Sequence, residues 1–153
     1  MRLFILLISL ALAPVVLAAE DYYNPGLSFD AFVSARSYDL NDARGGAGLG
    51  ANWFFTRNLG VGVETLSENT AHSTFDTLTG SALWRITSGR AALNLTAGGG
   101  YDFEQREYYV SAGGGPEYAL TRNLRLFGDA RAQKPIEGGD IHALFRAGVR
   151  VAF

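Results

Sequence analysis

The sequence predicts an all-β fold: an eight-stranded antiparallel transmembrane up-and-down β-barrel. Three observations predict it. Apolar and polar residues alternate with period two through most of the chain, the stretches that do so number eight, and tight turns alternate with longer polar links between them. A strand sends successive side chains to opposite faces, whereas a helix would scatter the same residues around its circumference. Eight such strands joined antiparallel close into a barrel, which leaves no unpaired edge.

The 153 residues begin with Met1-Arg2, a mostly apolar run from Leu3 to Leu17, and the small pair Ala18-Ala19. That arrangement reads as a secretory signal peptide over residues 1–19, cleaved after Ala18 or Ala19. A membrane-spanning helix is the alternative, but it wants about 20 apolar residues and stronger basic flanks. Residues 20–153 form the exported domain, and no further domain is expected beyond Phe153.

The elements follow in order. Leu27 to Arg36 alternates, with Phe29, Ala31, Val33 and Ala35 on one face and Asp30, Phe32, Ser34 and Arg36 on the other. Gly46 to Phe55 sorts Ala47, Leu49, Ala51, Trp53 and Phe55 from Gly46, Gly48, Gly50, Asn52 and Phe54. Leu59 to Glu64 opposes Leu59, Val61 and Val63 to Gly60, Gly62 and Glu64. Thr77 to Ile86 carries Leu78, Gly80, Ala82, Trp84 and Ile86 against Thr79, Ser81, Leu83 and Arg85. Leu93 to Phe103 and Tyr108 to Leu120 are glycine-rich strands, the second bearing Tyr118 on one face and Glu117 on the other. Leu124 to Arg131 separates leucines from Arg125, Phe127, Asp129 and Arg131. Ile141 to Phe153 is the clearest: Phe145, Ala147, Val149, Val151 and Phe153 oppose Leu144, Arg146, Gly148 and Arg150.

Thr56-Arg57-Asn58-Leu59, Thr87-Ser88-Gly89-Arg90 and Thr121-Arg122-Asn123-Leu124 read as tight turns, with Asn or Gly where a positive φ is wanted. Thr-Arg-Asn-Leu recurs 65 residues apart in the same context, which suggests a repeated hairpin unit of four strands per half. The longer links are Tyr38–Gly45, Ser67–Thr74, Glu104–Glu107 and Lys134–Asp140.

Period alone does not say which face is inside. A soluble ligand-binding barrel puts its apolar face in, and a membrane barrel puts it towards lipid. Three features favour lipid. The polar face carries Asp30, Arg36, Glu64, Arg85, Glu117, Arg125, Asp129, Arg131, Arg146 and Arg150, and every base there is Arg although a solvated surface normally uses Lys. Arginine suits confined, bidentate pairing with carboxylates. The 19 glycines of the chain, about 12% against a usual ~7%, fall mainly on that same face, where small residues make room in a narrow lumen. Finally, Trp53, Phe55, Trp84, Tyr118 and Phe153 gather on the apolar face near the tight turns, as an aromatic belt at a membrane interface does. The mean hydropathy of +0.06 is what alternation yields when half of each strand meets lipid and half a polar interior.

With these features the chain resembles the small eight-stranded outer-membrane β-barrel family, of the OmpA transmembrane-domain and OmpX or opacity-protein type. The resemblance rests on the signal peptide, the glycine-rich aromatic strand before each Thr-Arg-Asn-Leu turn, and the last strand ending at Phe153. It implies a Gram-negative outer membrane, short turns towards the periplasm, longer loops outward, and outer-membrane lipids as surroundings. It also implies that Phe145, Val149, Val151 and Phe153 resemble the signal read by the barrel-assembly machinery.

Chemistry is sparse. Zero cysteines exclude disulfide scaffolds, thiol nucleophiles and Cys-ligated metals. A net charge of −2 carries no footprint of a general nucleic-acid binder. His72-Ser73 with Glu68 or Asp76 holds the residue types of an acyl-transfer site, as in lipid A-modifying barrels. Adjacent strand residues diverge, however, and the deacylase's His-Ser-Asn stretch is missing, so no catalytic residue, cofactor or metal is expected. His142 lies at the outer end of the last strand. The Gly98–Gly100 and Gly113–Gly115 runs lack the Lys of a phosphate loop. Asn94-Leu95-Thr96 is a sequon on a spanning strand and carries no meaning there. An eight-stranded lumen is just wide enough for side chains to fill, so the inward charges should pair and block it. Asp30 is expected beside Arg146 and Arg150. The expected role is structural or surface-interacting, in envelope integrity or adhesion. Tyr38, Asp39, Asp42 and Phe103–Tyr109 are the loop contacts open to an extracellular ligand. A small-solute pore and a soluble lipocalin-like carrier are the alternatives.

Overall fold

A computed structural model of the chain describes residues 22–39, 42–68 and 75–153. The signal segment and the pair His72-Ser73 lie outside the described residues. Eight antiparallel strands, β1 (Gly26–Asp39), β2 (Asp42–Phe54), β3 (Leu59–Ser67), β4 (Thr77–Ser88), β5 (Ala91–Asp102), β6 (Glu107–Ala119), β7 (Leu124–Pro135) and β8 (His142–Ala152), pair in chain order. β8 returns to β1, so the sheet is a closed barrel.

The strands run further towards the loop end than the alternation suggests. β2 begins at Asp42, so most of the link expected over Tyr38–Gly45 is ladder, with Ser37 opposite Ala43 and a register shift before Asp39. β7 continues to Pro135, and the Ile136 N–H beyond it still donates to the Tyr108 carbonyl at 2.9 Å. The pairing of β6 with β7 lapses between Gly114–Ala130 and Glu117–Phe127, where Pro116 sits.

The two Thr-Arg-Asn-Leu turns fold alike. Thr56 Oγ1 accepts the N–H groups of Asn58 (3.2 Å) and Leu59 (2.9 Å), and Thr121 Oγ1 accepts those of Asn123 (3.3 Å) and Leu124 (3.0 Å). In each turn the asparagine amide then donates to the next strand's backbone, Asn58 to the Arg85 carbonyl and Asn123 to the Ala152 carbonyl, both at 2.7 Å. The third turn is made differently: Gly89 supplies the left-handed residue at φ 57°.

The barrel is apolar outside and polar inside. Leu49, Val63, Trp84, Leu95, Val110, Leu126 and Phe145 are exposed on the outer wall, while Asp30, Arg85, Glu117, Arg125, Arg146 and Arg150 are buried within. Water would not tolerate that outer wall as a continuous surface; lipid does. Of the expected aromatic belt, Trp53, Phe55, Trp84, Tyr118 and Phe153 all stand exposed on the outer wall at the turn end. Tyr101 packs against Phe103 and Tyr108 at the other end, with ring centroids 5.1 and 4.8 Å apart.

The lumen glycines have a packing reason. Phe32 faces Gly48 on β2 and Gly148 on β8, Phe54 faces Gly60, and Tyr109 faces Gly100. A Cβ on Gly60 would lie 2.9 Å from the Phe54 ring, and one on Gly100 would lie 2.6 Å from the Tyr109 hydroxyl. Each inward aromatic lies across a neighbour that has no side chain.

Candidate functional site

The site is the lumen, which alternation fills with the ten charged residues named from the sequence. In the structure Asp30, Arg36, Arg85, Glu117, Arg125, Arg131, Arg146 and Arg150 are buried, and Glu64 and Asp129 are nearly so. They fall into three tiers along the barrel axis.

At the turn end, Asp30 and Arg150 are direct cross-strand partners on β1 and β8, and the guanidinium grips both carboxylate oxygens at 2.7 Å. Glu117 on β6 is the hub: it pairs with Arg150, with Arg125 at 3.5 Å and with Arg85 at 3.7 Å. Two asparagines take up remaining lone pairs, Asn52 donating to Asp30 at 2.9 Å and Asn94 donating to Glu117 at 2.7 Å. Three arginines here meet two carboxylates. The surplus is met by aromatic rings: the Arg85 guanidinium lies 3.6 Å from the Phe54 ring centroid and 5.1 Å from that of Tyr23. A cation held over an aromatic face is stabilised by the ring quadrupole, the more so when desolvated.

The middle tier is balanced. Glu64 on β3 pairs with Arg131 at 2.7 Å and with Arg146, while Asp129 pairs with Arg146 and with Arg131 at 3.4 Å. Arg146 therefore does not join Asp30, contrary to the expected cluster. Four residues along β8 from Arg150, it lies opposite Ser34 on one side and Asp129 on the other, and Asp30 is spent on Arg150. Its guanidinium also lies 4.7 Å from the Phe32 ring centroid.

The loop-end tier is Arg36, which bridges Glu68 at 2.8 Å and Asp102 at 2.9 Å. Asp102 also accepts the backbone N–H groups of Glu104 and Gln105, which anchors the β5–β6 link. Glu68 and Asp76, the two acids of the acyl-transfer candidate, are tied together here: Asp76 accepts the Glu68 N–H at 2.6 Å. His142 begins β8 opposite Gln133. Asn94 of the sequon points inward onto Glu117 and Arg85.

Glu68 and Asp102 are not among the lumen acids expected from the sequence, and neither is the closure of the turn end. Tyr22 and Tyr23, just before β1, close the turn end of the lumen. Tyr23 is 1% exposed, and its hydroxyl reaches the Arg90 carbonyl at 2.8 Å. Arg125 donates to the Tyr22 carbonyl at 2.7 Å and lies 4.8 Å from the Tyr23 ring centroid. Burial, seconded by Glu117, pushes the Tyr23 phenol up to about 12. Two aromatics immediately ahead of a Pro-Gly strand start were the available signal, but they lie outside any alternating run.

An interior cavity between the turn-end and middle tiers, lined by Asn52, Asn94, Arg146 and Arg150 among others, measures about 20 Å³. That is room on the scale of one water molecule. Among the described residues no group of His, Asp or Glu is placed to hold a metal ion.

No protein-family model and no curated protein matches this chain. Solved structures do. The N-terminal β-barrel domain of Pseudomonas aeruginosa OprF is similar with a TM-score of 0.61 at 14% identity, over 83% of this chain and 99% of that one. Neisserial surface protein A is similar with a TM-score of 0.55 at 20% identity, over 83% and 96%. Ail, the attachment invasion locus protein of Yersinia pestis, is similar with a TM-score of 0.52 at 16% identity, over 85% and 99%.

Proposed function

For a chain with the fold of the small eight-stranded outer-membrane barrels, we propose a non-enzymatic, non-conducting integral outer-membrane role, in envelope integrity or adhesion at the surface. The observation that carries this reading is the filled lumen. Six arginines face six carboxylates among the described residues, two tyrosines close one end, and the interior cavity is of water size. Buried ions left unpaired cost several kcal/mol each, so opening a path through the tiers is expensive. What the protein offers its surroundings is its outer wall and its loop end.

Export through a cleaved signal peptide and assembly through the C-terminal strand belong to the same reading. Phe145, Val149, Val151 and Phe153 all project from the outer wall, where a machinery that reads the strand from the lipid side would meet them. The loop end, with Tyr38, Asp39, Asp42 and Phe103–Tyr109, is where an extracellular ligand would bind, and the similarity to an attachment protein favours adhesion over passive scaffolding.

The test is fractionation with heat-modifiable migration on SDS gels, followed by planar-bilayer recording. Recovery in the membrane fraction, a mobility shift on boiling and silent bilayers are expected. Recovery in the soluble periplasm would replace this reading with the exported carrier, and discrete conductance steps would replace it with the pore.

A further inference from the structure

The outer wall is not uniform. Across β5 to β8, Ala97, Ala112, Ala132 and Ala143 stand side by side in register and make a low band of methyl groups on the wall. Across β1 to β5 the wall is hollowed. Thr65, Phe75, Leu78 and Phe103 line an almost wholly apolar depression of about 550 Å³. A second hollow of about 250 Å³ shares Thr65 and Leu78 with it and runs on past Leu49 and Val63. Together they form a furrow, wide at the loop-end rim and narrowing towards mid-wall. The rim is tied down, with the Phe103 N–H donating to the Asp76 carbonyl at 2.8 Å and the Asp76 N–H to the Leu66 carbonyl at 2.8 Å.

From this shape we infer that the furrow is a binding site for one acyl chain of a lipid in the loop-side leaflet, a proposal that rests on the membrane reading above. The furrow is continuous with the lipid-facing wall, so its occupant comes from the bilayer. The lining offers nothing to a polar group: the Thr65 hydroxyl is spent on the Thr77 carbonyl at 2.8 Å, and the Glu64 side chain is turned inward onto Arg131 and Arg146. Water has no partners there. Within lipid, burying a tail brings no hydrophobic gain, and preference comes from dispersion contacts. A tail lying between Leu78, Val63 and the two rim phenylalanines meets side chains on several sides, whereas one against the alanines meets a low band of methyl groups.

Two matched variants test it. Gly80 on β4 is exposed on the outer wall opposite Val63, which lines the furrow, and a Cβ there meets nothing within 4 Å, so Gly80→Leu sets a bulky side chain against the furrow's lining without straining the barrel. Gly128 on β7 projects from the opposite wall, where a Cβ makes only an ordinary contact at 3.6 Å, so Gly128→Leu is the control. The full chain is folded into dimyristoyl phosphatidylglycerol vesicles, extracted into mild detergent and examined by native mass spectrometry. The expected result is a monomer retaining one phospholipid in the wild type and in Gly128→Leu, and a lipid-free monomer in Gly80→Leu. A lipid-free wild type, equal retention in all three, or equal loss in both variants would overturn the site. A dimer abolished by Gly80→Leu would overturn it in favour of a second copy of the chain. Heat-modifiable migration of the same samples keeps the two readings apart. If the wild type never inserts, the membrane reading falls and the furrow with it; if it inserts and retains no lipid, the furrow alone falls.

Discussion

The two ends of the lumen are built on different principles. At the turn end three arginines meet two carboxylates, and the excess positive charge is absorbed by Phe54 and Tyr23. At the loop end one arginine meets two carboxylates, and the contacts reach into the connecting segments at Glu68 and Asp102. The middle tier, two against two, is neutral. The turn end is over-determined: three arginines converge on Glu117, and the repeated hydrogen-bonded turns and the tyrosine closure hold the surrounding strands. At the loop end, among the described residues, the buried charges gather on one arginine, Arg36, and the rest of the ties are hydrogen bonds. Stability should therefore be concentrated at the turn end, leaving the loop end free to vary without unfolding the barrel.

The sharpest way to break this comparison is Glu117→Gln. It removes the negative partner of three buried guanidinium groups, and breaking a buried pair from one side costs about 3–5 kcal/mol. Thermal unfolding followed by loss of the heat-modifiable form should show a larger drop in midpoint than for any other single substitution in the lumen. An unchanged midpoint would refute the hub. Asp30→Ala comes next, at about 3 kcal/mol, and the double variant Asp30→Ala with Arg150→Met should recover part of that loss, since it leaves no unpaired charge on the β1–β8 seam. Failure of the second change to recover any stability would show that the pair is not coupled.

Arg36→Gln should cost less, about 1–3 kcal/mol, because Asp102 keeps the backbone N–H groups of Glu104 and Gln105 as partners. A loss as large as that of Glu117→Gln would erase the asymmetry between the ends. Asn58→Ala and Asn123→Ala each delete one hydrogen bond across a turn, worth about 1 kcal/mol. Equal effects from the two would support a repeated unit.

The smallest effect is one of pH. The Tyr23 phenol titrates near 12 in the folded chain against 10.0 when free. A pKa raised on folding means that the contribution of Tyr23 to stability is complete below pH about 10 and lost as pH rises towards 12. Tyrosinate absorbance should show one fewer late-titrating phenol in Tyr23→Phe than in the wild type, and an unchanged number would move the assignment elsewhere.

Residues such as Phe145, Arg146 and Phe153 show how much was legible beforehand. Side-chain sidedness follows from strand geometry alone, so parity assigned each of them to the wall or the lumen, and the glycine and arginine biases then said which face was which. Beyond residue parity, the sequence also determined the number of strands, the tight turns and the aromatic belt, because each is a local consequence of backbone geometry over a few residues. The tertiary structure alone decided which inward charges stand at the same height. Closing a barrel staggers its strands, so Arg146 meets Glu64 and Asp129 while Asp30 is left to Arg150. It alone brought Tyr22 and Tyr23 under Arg85, Arg90 and Arg125, because no periodicity within a segment records where the chain ahead of it folds back. The furrow is of the same kind: its walls come from residues up to 74 positions apart, Phe29 to Phe103, which only the closed sheet brings together.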